Sequence, residues 1–599
     1  MRGGRARLLT GALCAITAMA AAPAAQARDA SVRSFDGTQI VTHFFPAKGL
    51  APGAKAPTVL VGHGWAGRGA TDINGGTGKG TGGNMAIGDL HRAGYNVLTW
   101  DARGFGGSGG RVSVDGPDFE GRDVQSLISH VANQREARLD AAGDPRLGMA
   151  GGSYGGGIQL VTAGLDKRVD VIVPDIAWNS LVSSLYKADT IKLGWGSLLT
   201  SAGNATGRLD PRINSAFTSG AATGKISASD RTWFATRGPG EKLVSRIRVP
   251  TLLTQGTIDT LFTLREAETN YKILKRNKVP VKMMWHCGGH GTCDFPAGQP
   301  GRVEDAALTW FDRYLNRNTK ADTGAGFEWV DTQGTWHVSA AYPLTSRPPA
   351  TGSGRGTLPL SPALTTGSPT DAMSGSPNVE IPIGAPKTIE SLVGSPELDL
   401  TYSGTASPAQ TVVYAQVVDK RSGQALGNQV TPIPVTLDGK RRTVSRPLES
   451  IAAQAGPGTR FAVQLVPATM VYGTQRSTGS VTFSSAKASL PAGVPAKPGA
   501  NAKLVFRKIA RTKASSVRKR RRTMRFGLCA RGGKVRSISV VVKRGRRVVA
   551  KSRRFNVTGC RKPKVRKFKT ARKGTYTVVA SGKNASGRKV RTTKKFRLR

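Results

Sequence analysis

At 599 residues the chain is too long for a single hydrophobic core, so roughly two to four domains are expected. The formal net charge of +51 is very uneven: residues 501–599 hold 37 Lys and Arg and no Asp or Glu, behind a body of ordinary balance. No group of Cys, His or carboxylates has zinc or calcium spacing, which excludes metal sites of those patterns, and no cofactor is implied.

The first 27 residues read as a secretory leader, with Arg2, Arg5 and Arg7 at the start, a small apolar stretch from Leu8 to Ala24, and Ala25-Gln26-Ala27 as the cleavage site. Cys14 lies inside it, but Gly11-Ala12-Leu13 is a poor lipid-attachment sequence, so export without a lipid anchor is expected. No later segment has the ~18 uncharged apolar residues that a membrane span needs. Cleavage leaves four cysteines in an oxidising compartment, and two local disulfides, Cys287 with Cys293 and Cys529 with Cys560, are the simplest pairing.

Residues 31–320 alternate strand-like and helix-like runs, the pattern of a mainly parallel sheet covered on both faces. Strands are expected at Thr58–Gly62, Asn96–Trp100, Leu147–Ala150, Val169–Pro174, Thr251–Gln255 and Val281–Trp285. Helices are expected at Asn84–Ala93, Phe119–Asn133, Gly157–Ala163, Leu264–Arg276 and Val303–Leu315. The alternation stops at about 179–246, a Ser-, Thr-, Gly- and Asn-rich stretch read as a helical cap inserted between two strands.

From about Gly326 the helical periods vanish. Short strands separated by Pro, Gly and Ser follow at Phe327–Val330, Leu398–Tyr402, Thr411–Val418, Phe461–Leu465 and Val481–Phe483, an all-β pattern. A Pro- and Ala-rich linker at 488–502 leads into the basic module 503–599. There Met524–Leu528, Val535–Val542, Val548–Phe555 and Tyr576–Val579 alternate, with Lys-Arg-Gly-Arg-Arg (543–547) and Asn584-Ala-Ser-Gly587 as turns, which reads as a small immunoglobulin-like sandwich.

The run most informative about chemistry is Gly151-Gly152-Ser153-Tyr154-Gly155, between an apolar strand and an apolar helix-like stretch. A G-x-S-x-G bend in that context projects a serine hydroxyl from the sheet edge, and its glycines serve a strained, crowded backbone. A serine hydroxyl needs a base, and the base an orienting carboxylate. Asp259 follows the strand Thr251–Gln255, where the acid belongs, with Asp175 as the competitor. His290, in Gly288-Gly289-His290-Gly291, is the expected base, and His286 continues a strand as a structural residue. A Cys287–Cys293 bridge would clamp the His290 loop. Donors to a developing oxyanion are expected from the N–H of Tyr154 and from Trp65, through its backbone or its indole N–H, while His63 shapes the loop. Asp101 to Ser108 reads as a structural glycine loop, and Glu120 and Asp123 as solvated helix residues.

His63-Gly64-Trp65, Asp101-x-Arg-Gly-x-Gly-x-Ser108, Asp144-Pro-Arg-Leu-Gly-Met-x-Gly-Gly-Ser-Tyr-Gly155 and the late Asp259 and His290 together resemble the X-Pro dipeptidyl-peptidase-like family of α/β-hydrolases, which includes cocaine esterase and glutaryl acylases. The resemblance covers roughly 31–485 and implies an α/β-hydrolase domain at 28–325 with a helical cap, then a β jelly-roll domain at 326–487. Some members use a tyrosine hydroxyl as one oxyanion donor, where this chain has Trp65. The family implies a serine hydrolase acting through an acyl-enzyme on small-molecule or peptide substrates: X-Pro peptides, esters or acyl amides. A second reading makes the basic module dominant, in an exported or envelope-associated protein that adheres to anionic envelope polymers through 503–599 by charge, without specific nucleic-acid recognition.

Overall fold

The computed structural model describes residues 27–73, 86–293, 301–363, 365–495, 503–506, 524–561, 563–565, 572–583 and 589–598. The expected leader, apart from Ala27, and the expected turn at 584–587 lie outside the described residues.

The first sheet has ten strands: β1 (Arg28–Arg33), β2 (Gln39–Phe45), β3 (Thr58–Val61), β4 (Asn96–Trp100), β5 (Leu147–Gly152), β6 (Val169–Asp175), β7 (Thr251–Gly256), β8 (Val281–His286), β9 (Phe327–Val330) and β10 (Trp336–Ser339). Their order is β1-β2-β4-β3-β5-β6-β7-β8-β9-β10. From β4 across to β9 all pairings are parallel, and antiparallel pairs close both edges. β3, β4, β5 and β7 are buried along their whole length, as a parallel sheet covered on both faces requires.

The period-2 alternation of strands divides the core. Val59, Val61, Val97, Val171 and Met284 face the helices α1 (Ile87–Arg92) and α10 (Arg302–Tyr314), through Ile87, Leu90, Trp310 and Phe311. Leu60, Leu98, Met149, Ile172 and Met283 face the other way, onto α2 (Glu120–Ala132), α3 (Tyr154–Leu165) and α9 (Leu264–Arg276). Each such fully buried side chain contributes about 1.5–3 kcal/mol of transfer free energy.

Between β6 and β7 the chain forms five short helices: α4 (Leu181–Leu185), α5 (Leu193–Thr206), α6 (Pro211–Thr223), α7 (Ala228–Ala235) and α8 (Gly240–Val244). The polar composition of this stretch is the chemistry of helix ends. Ser180, Asp210 and Ser227 accept from the N–H of Ser183, Arg212 and Asp230, Pro211 opens α6, and Gly224 ends it in the left-handed region. The stretch 179–246, expected to be helical, does form helices.

The second sheet is antiparallel, and its long strands Thr345–Leu360, Glu397–Asp419 and Thr478–Val494 pair with one another or with shorter partners. Two strands expected at 398–402 and 411–418 are one strand with register shifts, because its two ends pair with different partners, Arg442–Pro447 and Thr431–Asp438. The strand expected to end at Phe483 runs to Val494, into the stretch read as a linker, because Thr345–Leu360 continues to offer it a pairing edge. The basic module is a third antiparallel sheet of Lys503–Phe506, Leu528–Arg544, Arg547–Lys551, Phe555–Arg561, Gly574–Lys583 and Lys589–Leu598, with Gly545 in the left-handed turn expected at 543–547. Cys529 is disulfide-bonded and stands opposite Cys560 in the register of its sheet. Among the described residues, no helix is long and apolar enough to cross a membrane.

Candidate active site

Ser153 sits between β5 and α3 with φ 55°, one of the few non-glycine residues in the left-handed region. The flanking glycines are dictated by sterics. A Cβ on Gly155 would stand 2.2 Å from the carbonyl oxygen of Gly62, and Gly151 combines φ +131° with the same oxygen at 2.5 Å. Backbone cannot step aside as a side chain can, so the bend tolerates nothing larger. The N–H of Ser153 donates to the carbonyl of Asp175 (3.0 Å), tying the bend to the end of β6. The helix expected from Gly157 begins at Tyr154, directly after the serine.

Three elements converge on this hydroxyl. Ser153 Oγ lies 2.7 Å from His290 Nε2, and His290 Nδ1 lies 2.7 Å from Asp259 Oδ2. Asp259 is fully buried, and its other oxygen accepts from the N–H groups of Leu261 (3.0 Å) and Phe262 (2.9 Å). His290 is held edge-on by the rings of Phe262 and Trp195, with centroids at 5.2 and 5.9 Å. Its loop is closed by the Cys287–Cys293 disulfide. Gly289, at φ +120°, could not carry a Cβ, which would meet the Asp259 side chain at 2.5 Å. The expected Ser153, Asp259 and His290 are thus brought together.

The competing pair, Asp175 and His286, forms a separate couple. Asp175 Oδ1 accepts from Thr254 Oγ1 (2.6 Å) and meets His286 Nε2 at 3.0 Å. Burial pulls the His286 imidazole down, but the adjacent Asp175 carboxylate, with the Cys287 carbonyl and Asp259, outweighs it and the net shift is upward. His286 is therefore a structural partner of Asp175.

Of the expected oxyanion donors, Trp65 does not offer its indole, which donates to the carbonyl of Leu199 at 2.9 Å. The backbone N–H groups of Trp65 and Tyr154 have no hydrogen-bond acceptor among the described residues. Both residues line the pocket that holds Ser153. His63 shapes its loop as expected: Nε2 accepts from the N–H of Ala102 (2.9 Å) and Nδ1 meets the carbonyl of Gly64 (2.7 Å). Asp101 takes the N–H groups of Gly69 (2.7 Å) and Gly107 (2.8 Å), which makes the 101–108 loop structural.

Glu120 and Asp123 are not solvated, contrary to the helix-surface reading: both are buried. Glu120 accepts from Ser113 N (2.5 Å), Gly116 N (2.9 Å) and the Tyr154 hydroxyl (3.1 Å), so it braces the residue after Ser153. Burial pushes its carboxyl up to about 7. Asp123 takes Arg103 Nη2 (2.6 Å) and Nε (2.8 Å) in a two-point ion pair.

The sequence also gave no hint of what holds the acid loop. From the cap, buried Lys192 donates to the carbonyls of Thr260 (2.5 Å) and Leu261 (3.2 Å), and Trp195 Nε1 donates to Thr260 Oγ1 (2.9 Å). From the second sheet's domain, Gln429 Nε2 donates to the carbonyl of Asp259 itself (2.9 Å), and Thr260 Oγ1 donates to the carbonyl of Thr370. The loop after β7 is gripped from both sides by segments about 65 or more residues away along the chain, a distance that leaves no local signal.

A bend on a parallel sheet, a cap of helices above it and an acid–imidazole–hydroxyl line define a hydrolase of the α/β class. Residues 36–292 match the family model of X-Pro dipeptidyl-peptidase (S15 family), over the part of the chain that carries all three groups. Among solved structures the chain is similar to a CocE/NonD family hydrolase from Staphylococcus aureus (TM-score 0.55, 13% identity, 78% of this chain and 93% of that one). It is also similar to an aminopeptidase from a marine sediment Thaumarchaeota archaeon (TM-score 0.60, 14% identity, 78% and 96%) and to an alpha-amino acid ester hydrolase (TM-score 0.59, 16% identity, 80% and 100%). At these identities the likeness is one of fold. No curated protein matches the chain.

Proposed function

We propose that the protein is an exported serine hydrolase that cleaves carboxylic esters or amides through an acyl-enzyme. The observation that supports this is the unbroken line from Ser153 through His290 to Asp259, with 2.7 Å at each step. Ser153 Oγ attacks the substrate carbonyl carbon as His290 Nε2 takes its proton. The oxyanion accepts from the N–H groups of Tyr154 and Trp65, and Asp259 holds the Nδ1 proton and stabilises the imidazolium. His290 returns the proton to the leaving oxygen or nitrogen as its bond to the acyl carbon breaks. Water, deprotonated by the same imidazole, then attacks the Ser153 ester and releases the acid. Rapid mixing with an activated p-nitrophenyl ester should give a burst of one p-nitrophenolate per protein before the steady state. Strictly linear release, with no acyl adduct in the intact mass, would contradict the covalent step.

A second role, compatible with the first, belongs to the basic module. In its last strand Lys589, Arg591, Lys595 and Arg597 are exposed on one face, while Val590 and Phe596 turn inward. Alternate residues of a strand lie about 6.8 Å apart, so this face presents two pairs of cations, separated by Thr593, suited to an anionic envelope polymer. If four such charges are neutralised, binding to isolated cell envelopes should fall on the order of 100-fold between about 50 and 200 mM salt. Retention indifferent to salt would exclude tethering by charge.

A further inference from the structure

We infer that the acyl group taken by this site is an uncharged aliphatic chain of medium length, without an α-ammonium group; the inference rests on the ester or amide hydrolase reading above. A pocket open to solvent runs from Ser153 beneath the cap. Its wall is hydrocarbon: Leu181, Leu185, Ile213, Phe217 and Phe234 come from the cap, and Phe262 from the acid loop. Among the described residues of the wall there is no Asp or Glu, and the one formally charged side chain is the cation Lys192. Its ammonium is held by the carbonyl oxygens of Thr260 and Leu261.

A substrate with a free amino terminus would bring an ammonium into this pocket with no carboxylate among the described wall residues to meet it and a lysine beside it. Burying a charge in that way is strongly unfavourable. The buried carboxyl groups of Asp115 and Glu120 do not relieve this, because they line a separate small cavity reached by Tyr154 and not by Ser153. A hydrocarbon chain, by contrast, gains from every methylene the wall covers. The site therefore departs from the aminoacyl and X-Pro substrates suggested by the names of its relatives, and selects on apolar length.

The test is kcat/KM for p-nitrophenyl acetate, butyrate, hexanoate and octanoate, for the 2-aminohexanoate ester, and for Ala-Pro p-nitroanilide. The expected result is a rise of up to about fourfold per methylene through hexanoate. The amino ester should fall about 100-fold or more below hexanoate, with the anilide slower still. Ala216→Phe should move the optimum to shorter chains by filling the pocket. Should that variant fail to fold, Leu199→Glu, at a half-buried wall position, should lower hexanoate turnover about tenfold or more. A flat chain-length profile, or an amino ester faster than its desamino counterpart, overturns the inference. If no acyl substrate is turned over while a fluorophosphonate still labels Ser153, the hydrolase reading survives and the substrate class falls. If labelling fails too, both fall.

Discussion

Ser153→Ala is expected to lower kcat on the best ester by about 10⁶-fold while the protein stays folded. The size follows from the way the three groups act as a unit. Without Oγ no acyl-enzyme forms, and His290 and Asp259 retain their mutual hydrogen bond with nothing to activate. What remains is the rate over water, about 10³–10⁴-fold, that oxyanion donors and binding supply alone. Alanine keeps the Cβ that the bend already tolerates at φ 55°, and the N–H bond to Asp175 does not involve the hydroxyl. Circular dichroism and thermal melting should therefore match the wild type. Turnover within tenfold of wild type would remove Ser153 from the chemistry.

Asp259→Asn should cost about 10⁴-fold in kcat, and the reason lies in which oxygen does what. Oδ1 takes two backbone N–H groups, from Leu261 and Phe262, and Oδ2 faces His290 Nδ1. An asparagine must keep its carbonyl oxygen on the two N–H groups, which leaves its NH₂ pointing at Nδ1. Nδ1 then has to accept, the ring proton moves to Nε2, and Nε2 presents a proton to Ser153 instead of a lone pair. The variant should fold and bind substrate with little change in KM, because nothing in the pocket wall moves. A loss under tenfold would mean that another carboxylate orients the imidazole.

Much of this was legible in the sequence for a local reason. The Ser153 bend announces itself because sterics demand glycine at 151 and 155 and a strand and helix on either side. Leu264–Arg276 is a helix over the range its apolar spacing predicts, and Asn96–Trp100 a strand over its predicted range. Asp259 and His290 were readable because each follows a strand that ends at the same edge of the sheet. What escaped was set by residues far apart in the chain. Glu120 looks like any first-turn glutamate; only the arrival of Tyr154 and of the 113–116 backbone makes it a buried acceptor. The Trp65 indole was an open choice until Leu199 of the cap took it. Gln429 and Thr370, which brace the acid loop from another domain, carry no motif at all.

The most direct test of the central claim is labelling with a fluorophosphonate, followed by peptide mass spectrometry. The account predicts one adduct per protein, on Ser153, formed by the wild type and absent when His290 is replaced by alanine. A protein that stays unlabelled, or one labelled at another serine with Ser153 untouched, would contradict it.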